Sequence, residues 1–548
     1  MKAFIALEKC AQRSEDNDAV RDFAQFMAER GIPWPAQPTT SDAGPVQLLD
    51  VLLDLSINWR VALWFDVSAA YSDIDGSFVV TISELGPLAW HRMQQLSELN
   101  YEDYAALARN MSSLLTNDTA ELGEQDLAKL RDDDIAVRST LLSLEADDQH
   151  DVIVPLHKIE ELNGVISSDE WIALLKKRLI SDFNISSHTE ALLTNKPYLA
   201  RIFALIGNLS AERALNVTGW MFAYVYAWTA TSSFDSLHGT AAEGTETYTL
   251  CFLAVQESFG IAHAAFSFAR RFLEGDRRRV SDVLKWTAAA LVHTITGSQS
   301  VSNSTKNMAS TKIQTAEGRH FWPPEPFFHL DTLDALYDNF PAQQQDTFFT
   351  IWTKSRKALR TSLTNRYYGS LMTARYSWPL GNVLYVYSHN WVRIALWAFY
   401  PPSYLKSGSS AMAYGGLGFH LARALVRAVD EHGRRLDHLG REKSWWEQTR
   451  KCKWDLAHSG LEKRMIADLF ALEVALSALK RSSGTGYGSH RIRGLESLSE
   501  AQTFFVSFCS HYCDDPEGPS LCSLATNTSE FAEAFSCEQP LRDRCLFV

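Results

Sequence analysis

Apolar residues along this chain recur mainly at three- and four-residue intervals. The spacing runs through Val20 to Arg30, Glu102 to Leu115, Asp169 to Leu179, Leu199 to Ile206, Leu250 to Leu273 and Val280 to Ile295, and each stretch predicts a helix with a buried face. Strand-like alternation is confined to short pieces such as Ser77 to Ile82 and Asn382 to Val386, so the predicted class is mainly α. Two stretches read as connections. One is the Ser/Thr-rich Gly297 to Gly318 with the Pro-rich FWPPEPFF of Phe321 to Phe328; the other is SSGTGYG, Ser482 to Gly488.

With 46% apolar and 21% charged residues among 548, the composition is that of a globular protein and excludes disordered and fibrous classes. The balance of 52 Lys and Arg against 65 Asp and Glu gives a net charge of −13. Such a chain offers no overall positive field to hold phosphates, and no nucleic-acid partner is expected. The run Arg277-Arg278-Arg279 follows Glu274 and Asp276 and reads as a solvated helix end. The most apolar stretches, Val217 to Trp228 and Trp391 to Tyr400, are too short to span a bilayer. The opening MKAFIALEKC has too short an apolar run for a signal-peptide core.

Two features nonetheless point to the secretory route. Asn-x-Ser/Thr sequons stand at Asn110, Asn117, Asn184, Asn208, Asn216, Asn303 and Asn527, where roughly two or three would arise by chance. Cys452, Cys509, Cys513, Cys522, Cys537 and Cys545 crowd the last hundred residues or so, with Cys10 and Cys251 far upstream, a distribution that suggests disulfide staples.

The segment richest in chemical information is Ala413 to Gly433, AYGGLGFHLARALVRAVDEHG. A Gly-rich turn leads into a helix whose polar residues, His420, Arg423, Arg427 and Asp430, share one face. Its other faces are Leu, Ala or Val. A helix buried all round except for one polar stripe lines a cleft or a metal site. No nucleotide loop or nucleophile elbow appears elsewhere: Gly484-x-Gly486-x-Gly488 lacks the flanking strand and helix.

These residues resemble the neprilysin and endothelin-converting-enzyme family of zinc endopeptidases. Similar elements occur in order along almost the whole chain. They are EKCAQ and Gly31 to Pro35 near the start, Cys251 ahead of a long helix, and Asn382-Val383-Leu384-Tyr385 in place of the family's substrate-binding Asn-Ala-Tyr-Tyr edge strand. Tyr400-Pro401-Pro402, Tyr414 to Gly418, Gly433-Arg434, Trp445-Trp446, Ile466-Ala467-Asp468 and EFAEAFSC at Glu530 to Cys537 follow. The resemblance implies a mainly α, two-lobed ectodomain around a central cavity, with a helical lobe and a thermolysin-like lobe that carries a small sheet. The expected division is an N-terminal region over 1–325, a connecting segment over 326–375 and a metallopeptidase-like region over 376–548. It also implies pairing of Cys10 with Cys251 and of Cys452 with Cys545, and leaves Cys509, Cys513, Cys522 and Cys537 open among three connectivities.

The chain departs from the family where the chemistry resides. In place of His-Glu-x-x-His stands Arg423-Ala424-Leu425-Val426-Arg427, and in place of the third ligand, a Glu, stands Arg464; only the supporting Asp468 matches. Guanidinium has no lone pair to give a metal and stays protonated. Ala424 cannot act as a general base, and the family's downstream His and Arg fall on Asp514 and Ser520. The expectation is therefore a pseudo-peptidase without zinc, holding peptides or partner proteins in the inherited cleft, with backbone pairing along Asn382 and Val383. The alternatives are an active zinc endopeptidase with ligands of another kind and a structural or decoy ectodomain with its cleft closed by the arginines. By resemblance an extracellular or cell-surface ectodomain is expected; the chain begins after the region where the family carries its anchor, which suggests an N-terminally incomplete version rather than a degenerate short form, and Asp468, Asp430, Glu431 and Glu462 are the candidates to neutralise the arginines.

Overall fold

A computed structural model describes residues 2–36, 44–71, 78–117, 122–143, 152–162, 164–179, 183–234, 245–271, 274–317, 329–341, 345–362, 383–394, 396–447, 463–482, 492–513 and 518–538. The chain forms two compact units, one of residues 1–263 with 324–375 and the other of 264–323 with 376–548. Linear reading placed 264–323 with the N-terminal region. By packing it belongs to the second unit, because the Glu274–Gly297 helix lies against the Phe419–Val426 and Lys463–Ser482 helices there.

The first unit is a helical body with one four-stranded sheet. Strands β1 (Phe65–Tyr71), β2 (Phe78–Glu84), β3 (Val152–Pro155) and β4 (Glu190–Leu193) take the order β1-β2-β4-β3. Only the β2/β4 pair is parallel. The centre is the Ala211–Tyr226 helix, buried at every residue from Val217 to Tyr226. Its Phe222 stacks on Phe23 and Phe26, at 5.4 and 5.7 Å between ring centres, and the edges of Phe349 and Trp352 meet Phe26. Such interlocked rings bury large apolar areas in fixed geometry. Gly219 lets the 32–34 segment pass: a Cβ there would stand 2.7 Å from the Trp34 side chain and 3.1 Å from the Ile32 carbonyl.

The second unit is built on the Glu274–Gly297, Asn303–Glu317, Phe419–Val426, Lys463–Ser482 and Glu500–Ser510 helices and the antiparallel pair β5 (Val383–Val386) and β6 (Trp391–Ile394). Most of the stretch read as a connection, Gly297 to Gly318, is the Asn303–Glu317 helix. Ser302 Oγ accepts from Thr305 N–H at 3.2 Å to start it, and Thr305, Ala309, Ile313 and Ala316 form its buried stripe. Small and hydroxyl-bearing core residues gave that stripe little hydropathic signal. The Phe321 to Phe328 run and residues 483–488 of the other expected connection lie outside the described residues.

Candidate functional site

The polar stripe sits on a short helix with an irregular start. Tyr414–Gly418 forms a π-helical turn before Phe419–Val426, and Arg427–Val429 closes in a 3-10 turn. Glycine is required in the first turn. A Cβ on Gly415 would lie 2.3 Å from the Phe504 carbonyl oxygen, and one on Gly416 would lie 2.2 Å from that of Ser403. From Ala413 to Val429 every residue is buried except Arg423 and Arg427, which are half-buried. Ala424, where the resemblance places the general base, is 2% exposed and presents only a methyl group.

Arg423 and Arg427 both have anionic company. Arg423 Nε stands 2.7 Å from Asp468 Oδ1, on the Lys463–Ser482 helix, and the carboxylate is 3% exposed. Arg427 is hydrogen-bonded to the Tyr387 hydroxyl and feels Asp430 and Asp468. Burial pulls its pKa down, but those three groups outweigh burial and hold it above the ordinary arginine value. Asp430 accepts from Tyr387 Oη–H and, at 2.7 Å, from Gly433 N–H. Burial raises its pKa, and Gly433, Tyr387, Arg427 and Lys312 partly offset that. Glu431, expected among the neutralising groups, instead pairs with the exposed Arg435 at 3.3 Å. Glu462 lies outside the described residues. Arg464 is in the first turn of the Lys463–Ser482 helix.

Two residues that sequence reasoning did not single out complete the setting. Lys312 is 1% exposed and donates to the carbonyls of Gly433 and Leu436 at 2.6 and 2.7 Å. Burial lowers its pKa to about 8, against the pull of Asp430 and Asp437. Tyr387 lies just past β5; burial, Asp430 and their hydrogen bond push its pKa well above the ordinary tyrosine value, so it remains a neutral donor. Their roles come from tertiary placement, and only the period-two spacing of Val383, Tyr385 and Tyr387 hinted at one of them. His420, at the head of the stripe, is 7% exposed with its ring 4.1 Å from that of His511. Burial first, then His511 and Arg423, lower its pKa far below the usual value, so the ring is neutral.

This donor set does not fit zinc. At two of the three positions where the resemblance places ligands stand permanently charged donors of hydrogen bonds, and the nearby carboxylates are committed to them. Among the described residues no group of three or more His, Cys, Asp or Glu could hold a metal ion. On the substrate-strand side, Val383 opens β5, which pairs with β6 through Val383–Ile394 and Leu384–Arg393, while Asn382 lies outside the described residues. Asp514 also lies outside them, and Ser520 is exposed.

The cysteines divide among bonded, free and undescribed. Cys10 is bonded to Cys251, and both are fully buried. Cys509 is bonded to Cys522, and Cys513 and Cys537 are free and exposed. Cys452 and Cys545 lie outside the described residues. Of the sequon asparagines, Asn110, Asn117, Asn184, Asn208 and Asn303 are exposed and Asn216 and Asn527 half-buried. No helix of the described residues is long and apolar enough to cross a membrane.

No family model matches the chain. Neprilysin-1 of Caenorhabditis elegans is 24% identical over 258 residues, 39% of this chain and 34% of that protein. Mouse endothelin-converting enzyme 1 is 20% identical over 550 residues, 89% of this chain and 69% of that enzyme. The chain thus spans about a third of the worm protein and about two thirds of the mouse one. The fold is that of the Mycobacterium tuberculosis zinc metalloprotease Zmp1 in complex with an inhibitor, with a TM-score of 0.62 at 15% identity, covering 100% of this chain and 87% of that one. In sequence and fold, the chain is similar to the neprilysin and endothelin-converting-enzyme family of metalloendopeptidases.

Proposed function

We propose that this chain is a catalytically inactive member of its family, a pseudo-peptidase that holds peptides or partner proteins without cleaving them. The observation that carries the reading is the Arg423–Asp468 ion pair at 2.7 Å, in which a guanidinium takes up the carboxylate that would otherwise stand behind a metal ligand. Metal-assisted hydrolysis needs a Lewis acid and a base to take the water's proton. Arg423, Arg427 and Ala424 supply neither, and Asp430 is hydrogen-bonded on both oxygens. Binding is supported by β5: among the described residues it pairs only with β6, and Leu384 is 36% exposed, so main-chain groups on its other edge suit an added extended strand. The disulfides and the exposed sequons support an extracellular setting for that role.

A library of fluorescent, unstructured peptides tests this by anisotropy, with each bound peptide recovered and weighed by mass spectrometry. Saturable binding with the peptide intact is the expected result. Cleavage of the bound peptide, or the absence of any binder in the library, contradicts the proposal.

A further inference from the structure

The first unit carries two side chains with no part in the site above. β3 and β4 run antiparallel with Pro155 opposite Glu190. The pairing continues beyond the strands, with Leu156 N–H on the Thr189 carbonyl at 2.9 Å and His157 N–H on that of Ser187 at 3.0 Å. This register sets His157 and His188 side by side, their ring centres 5.8 Å apart and their planes at 73°. Both are exposed.

His157 is already prepared as a ligand. Its Nδ1 lies 3.0 Å from the Ser187 carbonyl oxygen. A carbonyl only accepts, so Nδ1 carries the proton and Nε2 keeps its lone pair. This backing hydrogen bond is the one that orients metal-binding histidines and fixes their tautomer. The backbone on both sides is fixed, by Ser168 Oγ–H donating to the His157 carbonyl at 2.9 Å and by Ser186 N–H donating to Thr189 Oγ1 at 2.9 Å. Two imidazoles that share an ion at metal–nitrogen distances of about 2.0–2.1 Å and bond angles of about 90–110° have ring centres about 4.5–5.2 Å apart. The 5.8 Å seen here lies just outside that range, a gap that rotation of the two exposed side chains can close.

We propose that His157 and His188 form a surface site for a late first-row divalent cation, held by the two imidazoles with water in the remaining positions, and with Cu²⁺ preferred over Ni²⁺ and Zn²⁺. The site is independent of the arginine-filled helix and of the reading given to it.

The test titrates the full chain, with Cys513 and Cys537 alkylated, with Ni²⁺ by calorimetry, and records the electron paramagnetic resonance of the Cu²⁺ complex. One equivalent is expected to bind, with affinity at least about tenfold weaker in either His157→Ala or His188→Ala, and lost in the double variant. Nitrogen coupling from two imidazoles in the Cu²⁺ spectrum should fall to one in each single variant. Both side chains are exposed, so unchanged circular dichroism is expected, and His157→Gln provides a second variant of similar bulk. Affinity or coupling that the substitutions leave unchanged, or a wild type that binds no better than the double variant, overturns the proposal.

Discussion

An arginine where the resemblance places a metal ligand reverses the electrostatics of its surroundings. Carboxylates that would support a cation's ligands become the counter-ions of fixed cations, as Asp468 does for Arg423 and as Asp430 and Asp468 do for Arg427. Asp468 is 3% exposed and Arg423 29%, so removing the arginine strands a desolvated carboxylate. Arg423→Ala should lower unfolding free energy by about 3 kcal/mol, the lower end of the cost of breaking a buried pair because Arg423 is partly solvated. The double variant Arg423→Met with Asp468→Leu should lose less. Denaturant unfolding measures both, and a single variant as stable as wild type would show that the pair is dispensable. The arginines and their shared face were legible from spacing alone. Their surroundings were less so: Tyr387 donates to Asp430, and Lys312 to the carbonyls of Gly433 and Leu436, from segments distant in sequence, and no local pattern announces that meeting.

At the level of elements, helices whose inner faces are apolar were legible and those with polar inner faces were not. The Glu124–Leu142 helix buries Asp133, Asp134 and Arg138 among its leucines and so shows weak periodicity. Asp134 is fully buried, with Arg138 Nη2 at 2.9 Å. Burial raises its pKa to about 6, with Arg138 only partly offsetting it. A carboxyl whose folded pKa lies above its unfolded value binds a proton more tightly in the folded state. Its contribution is fully present below the unfolded value, near 4, and is lost as pH rises through about 6. The stability difference between wild type and Asp134→Asn should therefore shift against the wild type between pH 4 and pH 7. Equilibrium unfolding across that range checks it; a pH-independent difference would mean that Asp134 titrates normally.

On the scale of the whole molecule, order along the chain was a poor guide to which segments pack together. The Glu274–Gly297 helix precedes the Phe419–Val426 helix by more than a hundred residues yet packs on it, a partnership that only the folded backbone reveals. The sequons sort by the same criterion. Asn184 and Asn208 are exposed, whereas Asn216 lies half-buried on the core helix and its sequon Thr218 is fully buried with Oγ1–H on the Ala214 carbonyl at 2.6 Å. Folded protein secreted from eukaryotic cells should carry glycans at Asn184 and Asn208 and none at Asn216. Glycopeptide mass spectrometry reads this directly, and occupancy at Asn216 would be incompatible with the packing of that helix.

The most direct measurement is hydrolysis of a quenched fluorogenic peptide by the purified chain, with added Zn²⁺ and with a strong chelator. If guanidiniums occupy the place of the metal ligands, both reactions should proceed at the rate of the peptide alone. Turnover that the chelator abolishes and Zn²⁺ restores would contradict this and return the chain to the active zinc peptidases.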